Sequence, residues 1–194
     1  MDSRTKMMFM LVVCMCLLSS SGVAAALILG GEKNSVVATK AAIPVPVIKK
    51  YRYVRIYRDL PAVVDAGGHW MNPAEVEVFS GGVNVAAGKT VTGSSLYAAQ
   101  FPHSNLVDGN KTNFAHTNNA AVEWFLIDLG EEYEIDSVAI TNRATSRPRM
   151  ENTKIQLSKT SDMTTSEDSK VITKAEAVSA SFTWTVASNT IVAA

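Results

Sequence analysis

The sequence predicts an all-β domain, an antiparallel β-sandwich or jelly roll, preceded by one N-terminal transmembrane or signal helix. Three observations lead to this prediction. Short segments rich in β-branched and aromatic residues alternate between apolar and polar side chains after residue 50. Turn-forming Gly, Asn, Asp and Ser separate these segments. No stretch after residue 50 shows a sustained helical period.

The first 31 residues are predicted to be a membrane anchor or a signal segment. Residues 7–31 carry no charged side chain, and a run of this length can cross a bilayer as a helix. Arg4 and Lys6 precede the run, which places the N-terminus of an anchor on the cytoplasmic side. We favour an uncleaved anchor, with the domain on the extracytoplasmic side. The alternative is a signal peptide cut after Ala25 or Ala26, which predicts a secreted protein.

Residues 32–50 are predicted to be an extended linker or arm. Pro44 and Pro46 favour an extended chain because proline fixes φ and removes a backbone donor. Apolar residues such as Val36 and Ile43 favour an arm lying on a neighbour over a linker in solvent. Residues 51–194 remain for the sandwich, which is enough for one domain with its own core.

The charge and the cysteine content argue against a nucleic-acid partner and against a disulfide or thiolate metal site in the sandwich. The formal net charge of zero gives no electrostatic footprint for nucleic acid, so no nucleic-acid partner is expected. The two cysteines, Cys14 and Cys16, both lie in the apolar N-terminal segment. The predicted sandwich therefore contains neither a disulfide nor a thiolate metal site.

The strands follow in order along residues 51–186. Residues 51–58 and 74–79 alternate clearly, and Ser80-Gly81-Gly82 forms a turn after the second of them. A new unit begins at residues 83–92, the segment 142–149 is a polar, basic loop, and residues 158–169 form a solvated surface loop. Further strands are predicted at residues 124–127, 134–141, 153–157, 170–173 and 181–186.

An oxygen-rich loop precedes the apolar strand 124–127. Asp108-Gly109-Asn110 is a turn signal, because Gly tolerates positive φ and Asp and Asn side chains bond to nearby backbone. Asp108, Asn110 and Thr112 place hard oxygen ligands within five positions, as a calcium loop requires. The alternative is that Asp108 and Thr112 only bond the backbone of their own turn. In both cases the loop favours binding over catalysis.

Five blocks of the sequence stand in this order: NVAAGKTVTGSS (84–95), NLVDGN (105–110), FAH (114–116), WFLIDLG (124–130) and ITNR (140–143). Together they resemble the discoidin-like family. That family includes coagulation-factor C-type domains, galactose-binding-like modules and F-type (fucose-binding) lectins. The similarity covers roughly residues 51–186 and implies a galactose-binding-like β-sandwich.

The order of the strands departs from that family. Strands similar to residues 53–57 and 72–79 come last in the family, after a segment similar to residues 181–186, but here they come first. We favour a circular permutation within one chain, since the family's termini lie close together. It predicts a contact between residues 51–58 and 181–186 of the same chain. The alternative is that residues 51–79 complete the sandwich of a neighbouring subunit.

The resemblance implies a structural calcium ion and a sugar site. Family members take a calcium ligand from an Ala-Glu-Val-Glu-Val strand, which adds Glu75 to Asp108, Thr112 and the carbonyl of Asn110. The F-type lectins use a His and two Arg for the sugar, which correspond here to three residues. These are His116, Arg143 and Arg149.

The sugar motif is incomplete. Thr145 stands where the lectins have an acidic residue, and their adjacent cysteines are absent. Arginine side chains can still bond hydroxyls or a carboxylate. The alternative is that Arg143 and Arg149 belong to a basic loop that is solvated or grips a neighbouring protein.

No catalytic residue is predicted, since the three histidines lie near no cysteine nucleophile, GxSxG elbow or HExxH motif. The first functional hypothesis is a non-enzymatic, membrane-anchored structural or interaction protein, for example a minor capsid protein in the virion of a large DNA virus. Its partners would be other structural proteins and a membrane. The alternative is a secreted or cell-surface lectin, calcium-dependent and binding glycans.

Overall fold

A computed structural model describes residues 48–61 and 68–187. Within these ranges the chain forms nine β-strands in two antiparallel sheets, one short α-helix and two 3-10 turns, which confirms the all-β prediction. The strands are β1 Tyr51–Arg58, β2 Pro73–Ser80, β3 Val83–Asn84, β4 Thr90–Gly93, β5 Glu123–Tyr133, β6 Ser137–Asn142, β7 Lys154–Ser158, β8 Asp168–Val171 and β9 Ser181–Thr185. The 3-10 turns are His103–Leu106 and Arg147–Met150, and α1 is Lys174–Val178.

The core lies between the two sheets. One sheet has the order β4-β5-β1-β7-β8 and the other β3-β2-β6-β9. Alternate residues point inward, as the period of two requires, so Val54 and Ile56 of β1 meet Val76 and Val78 of β2 in one buried cluster. Each such side chain contributes about 1.5–3 kcal/mol of burial free energy. The core therefore holds the loops at the strand ends in fixed positions.

Element boundaries differ from the prediction at several places. The strand predicted at residues 170–173 is Asp168–Val171, so it begins inside the segment that was predicted to be a surface loop. The strand at residues 124–127 runs on to Tyr133, because Gly130 adopts a φ of 88° within it and the pairing with β1 shifts register nearby. The strand expected from residue 134 begins at Ser137. The sequence pattern also missed α1, whose Thr173 and Glu176 form a capping box.

The two displaced strands pair within their own chain. β1 lies between β5 and β7 in the five-stranded sheet, and β2 lies between β3 and β6 in the other. The contact that a permutation predicts between residues 51–58 and 181–186 does not form as a strand pair, since β1 and β9 belong to different sheets. The origin of the strand order by permutation stays a prediction.

The N-terminal predictions lie largely outside the described residues. The anchor or signal segment, residues 1–31, and the arm up to residue 47 are not among them. In the described part of the chain, no helix has the length and apolar character needed to cross a membrane.

A small residue at position 93 is required by the packing of β4. A Cβ added to Gly93 would lie 2.7 Å from ring atoms of His103. That ring is held by the Ser95 carbonyl at 3.0 Å from Nε2 and stands edge-on to Phe125. Gly93→Ala should therefore lower the free energy of unfolding by about 1–3 kcal/mol in urea titrations. An effect no larger than that of Thr92→Ala, one position away on the exposed side of the strand, would contradict this packing.

Candidate functional site

His116 lies in a cluster of aromatic rings at the end of the sandwich. Its ring centroid is 4.4 Å from Tyr97, 5.9 Å from Phe101 and 6.1 Å from Phe114. We call these four residues, together with Arg143, the His116 cluster. His116 itself is only 5% exposed, whereas Tyr97 is 54% exposed. The cluster therefore combines a buried imidazole with an aromatic face that solvent can reach.

Backbone hydrogen bonds fix the position of His116. Ala115 N donates to Pro73 O and Thr117 N to Met71 O, both at 3.1 Å, so residues 115–117 run antiparallel to residues 71–73. Tyr97 N donates to the His116 carbonyl at 2.9 Å. These three bonds tie the His116 loop to the chain segment before β2 and to the loop after β4.

The electrostatics of His116 favour a neutral imidazole. Burial lowers its pKa, and the positive charges of Arg143 and Arg149 lower it further against the opposing effect of the Thr117 hydrogen bond. Nδ1 lies 2.6 Å from the Thr117 carbonyl, which can only accept, so Nδ1 carries the proton. Nε2 of the neutral ring is then a hydrogen-bond acceptor.

Both predicted arginines lie beside His116. The Arg143 guanidinium, directly after β6, is 3.9 Å from the centroid of the Phe114 ring. The Arg149 guanidinium is 5.2 Å from the centroid of the Trp70 ring. Burial lowers the pKa of Arg143, and the positive charge of Arg149 lowers it further. The fold thus brings the three residues that were predicted for a sugar site together, and each arginine lies over an aromatic ring.

Sequence reasoning missed a buried amide opposite His116. The bonds of Ala115 to Pro73 and of Thr117 to Met71 make Asn72 the cross-strand neighbour of His116. Asn72 is fully buried, and neither its Oδ1 nor its Nδ2 has a hydrogen-bond partner. An orphaned polar group is costly inside a protein, so this amide is a polar feature of the site that the structure alone reveals.

Arg58 at the end of β1 holds the loop that carries Arg149. It is fully buried, and its Nη2 donates to the carbonyls of Arg149 and Glu151 and, at 2.7 Å, to the Thr153 hydroxyl. Burial lowers its pKa to about 10, which leaves the guanidinium charged at neutral pH. A buried charge thus fixes the 3-10 turn of the basic loop.

The oxygen-rich loop is closed by its own side chains. Asn110 N donates to Asp108 Oδ1 at 2.8 Å, and Asn113 Nδ2 donates to Asp108 Oδ2 at 2.7 Å. Thr112 donates from both N and Oγ1 to Asn110 Oδ1, at 3.0 and 2.6 Å. These bonds are the ones that a self-bonded turn requires. The structure brings together the three loop residues that were predicted as calcium ligands, Asp108, Asn110 and Thr112. Gly109, between the first two, has a φ of 79°.

Glu75 adds a feature that a self-bonded turn does not explain. It is 1% exposed; its Oε1 accepts from Gly109 N at 3.2 Å, and its Oε2 has no partner. Burial, followed by the nearby charges of Asp108 and Glu77, raises its pKa to about 7. A cation beside this oxygen would supply the missing partner.

The loop next to Glu75 offers one further carboxylate, that of Asp108. Within residues 48–61 and 68–187, no three His, Cys, Asp or Glu side chains are grouped to hold a metal. A cation between Glu75 and the loop would have carboxylate, carbonyl and hydroxyl oxygens as ligands. Oxygen ligands of this mixed kind are what calcium takes in proteins.

Residues 105–191 match the family described as NedA-like, galactose-binding domain, of the F5/F8 type C group. A galactose-binding-like domain is found in this part of the chain. The matched range includes β5 to β9, His116, Arg143 and Arg149, but it begins after Glu75, β1 and β2. It therefore supports the resemblance and leaves the displaced strands as a separate prediction.

The chain is also similar to Fucolectin-6 of Anguilla japonica. The two are 40% identical over 70 residues, which cover 31% of this chain and 38% of the fucolectin. The chain thus spans well under half of the length of this relative.

Proposed function

We propose that this chain is a non-catalytic carbohydrate-binding protein whose sugar site is formed by His116, Arg143 and Arg149. The observation that supports the proposal is the convergence of these three side chains on the His116 cluster. The similarity to a protein named as a fucolectin adds to it. The comparisons thus favour the lectin hypothesis, and neither they nor the described residues support a capsid role.

The cluster offers the groups that a saccharide needs. Nε2 of the neutral imidazole accepts a hydrogen bond from a sugar hydroxyl, and the arginines donate to sugar oxygens. The exposed face of Tyr97 packs against the C–H groups of the ring. Because Thr145 does not replace the acidic residue of the F-type lectins, we expect a preference that differs from simple fucose binding.

Calcium is proposed as a structural ion at Glu75, with Asp108, Thr112 and the carbonyl of Asn110. The support is the buried, unpartnered Oε2 of Glu75 next to a loop rich in oxygen. A bound ion would neutralise Glu75 and Asp108 together. It would also fix the loop that leads to Phe114 and His116, so we expect sugar binding to be stronger with calcium present.

A glycan array with the full chain tests the proposal. Saturable binding to a subset of glycans is expected, weakened at least about tenfold by His116→Ala and by Arg143→Gln, because each removes a hydrogen bond to a polar ligand. Arg52→Gln is the matched control, since Arg52 pairs with Asp128 on the surface. The proposal fails if no glycan binds, or if His116→Ala and Arg143→Gln bind as well as the control.

A further inference from the structure

The outer face of the five-stranded sheet carries large apolar side chains among its polar ones. Tyr57 of β1 pairs with Trp124 of β5, and Arg55 pairs with Leu126, so these side chains form adjacent rows on one face. All four are only half-buried, and they point away from the inward-facing Ile56 and Phe125. A solvated face of an antiparallel sheet is usually polar, so the half-buried Trp124 and Leu126 mark a place on this face where a ligand can pack.

A cavity of about 190 Å³ lies on this face. We call it the sheet-face cavity. The side chains of Arg55, Trp124 and Leu126 line it from the sheet, and Ser161, Asp162 and Met163 line it from the loop between β7 and β8. None of these residues belongs to the His116 cluster.

The loop that forms the wall is held in place. Asp162 Oδ1 accepts from Thr160 Oγ1 at 2.7 Å and from Thr164 N at 3.2 Å. Met163 has a φ of 53°, a conformation uncommon for a side chain of its size, and is 95% buried, so its packing determines the shape of the loop. The wall is therefore formed before any ligand arrives.

Two opposite charges line the sheet-face cavity without pairing. Arg55 is held by its Nε, which donates to Gln156 Oε1 at 2.8 Å, and by the Tyr57 ring, 4.5 Å from its guanidinium carbon. Asp162 uses Oδ1 for its own loop. The contacts of Arg55 and Asp162 in the described part of the chain do not include an ion pair between the two. Each therefore has hydrogen-bonding capacity left for a molecule between them.

These features select the ligand class. A phosphate or carboxylate would be repelled by Asp162, and an amine would be repelled by Arg55. A neutral saccharide ring fits both, since its hydroxyls accept from a guanidinium and donate to a carboxylate. Its C–H face suits the Trp124 indole and Leu126. We propose that the sheet-face cavity is a second saccharide site, which goes beyond the proposed function of the His116 cluster.

NMR spectroscopy of the full chain can separate the two sites. The variant His116→Ala, Arg143→Gln is titrated with methyl glycosides of galactose, fucose, glucose and N-acetylglucosamine. At least one should shift the Trp124 indole N–H resonance saturably, while the indole of Trp184 on the other sheet stays in place. The Trp124 resonance is assigned with Trp124→Phe.

Variants of Arg55 and Asp162 test whether the glycoside binds in the sheet-face cavity. Arg55→Gln and Asp162→Asn should each weaken this binding roughly tenfold, because each removes a charged hydrogen-bonding partner. Arg52→Gln and Asp136→Asn are the matched controls, and neither residue lines the cavity. The second site is refuted if no glycoside moves Trp124, or if Arg55→Gln and Asp162→Asn bind as the controls do. Failure of the His116 site would be seen separately, as array binding that is insensitive to His116→Ala.

Discussion

Replacing Arg58 with Met is expected to lower the free energy of unfolding by about 3 kcal/mol, and to weaken glycan binding by the molecules that remain folded. Met has a similar length but no donors. The carbonyls of Arg149 and Glu151 and the Thr153 hydroxyl would lose their shared partner in a buried position. Urea titration measures the stability, and binding is measured at a temperature where the variant is fully folded.

The binding effect should act through Arg149, because Arg58 touches the loop and not the His116 cluster. In an Arg149→Ala background, Arg58→Met should therefore add no further loss of glycan affinity, although it should still lower stability. Arg52→Met is the matched control on the same strand, because its exposed ion pair with Asp128 contributes little to stability. Additive losses of affinity in the double variant would show that Arg58 does not position Arg149.

The strands could be predicted from the sequence because their signals are local. The alternation in residues 51–58 places Arg52, Val54, Ile56 and Arg58 on one face, and the last three of these are buried. The pattern fails at the start of the strand, where the register shifts and Tyr51 is buried instead of Arg52. Ser80-Gly81-Gly82 was predicted as a turn, and both glycines adopt positive φ in the hairpin between β2 and β3. The two-sheet architecture followed from repeated signals of this kind.

What could not be predicted depends on contacts between distant parts of the chain. Three partners of Arg58 lie more than 90 residues away, and two of them, the carbonyls of Arg149 and Glu151, are backbone atoms that no side-chain pattern reports. The position of Asn72 opposite His116 follows from the pairing of residues 71–73 with residues 115–117, which are distant in the sequence. The capping box of α1, in contrast, is visible in the sequence as Thr173 and Glu176, and its helix was too short for a periodicity search to find.

The candidate sites were predicted to different degrees. His116, Arg143 and Arg149 came from the resemblance, and the structure places them together. The aromatic rings of Tyr97 and Phe101 beside His116 were not predicted, because they lie in loops without a strand or helix period. The sequence therefore did not predict which loop side chains meet at the end of the sandwich. Only the structure shows these contacts.

Glu75→Gln is expected to remove both the calcium response and a large part of the pH dependence of stability. Without calcium, the folded chain holds a proton on Glu75 up to a pKa of about 7, whereas the unfolded chain releases it near 4.5. The folded state is therefore favoured at low pH, and its stability falls as the pH rises from about 4.5 to about 7, by about 3 kcal/mol in all. Glutamine does not titrate, so the variant should lack this loss.

Calcium should offset the stability that the wild-type chain loses at high pH. At pH 8 an ion beside Glu75 replaces the lost proton, so the wild-type chain should gain about 3 kcal/mol when calcium is present at 100 times its dissociation constant. At pH 5 the gain should be much smaller, since the ion must then displace a proton. Thermal melts at both pH values, with calcium or with a chelator, measure this for the wild type and for Glu75→Gln.

Glu77→Gln separates a specific ion site from a general effect of negative charge. Glu77 lies two residues further along the same strand and pairs with Lys111 at 2.7 Å, so its carboxylate already has a cation. This variant should keep the full calcium response, whereas Glu75→Gln should lose it. An equal loss in both variants would mean that calcium acts only by screening the acidic surface. A wild-type chain with the same melting temperature in calcium and in chelator at pH 8 would leave the unpartnered oxygen of Glu75 as a feature of the fold without a cation.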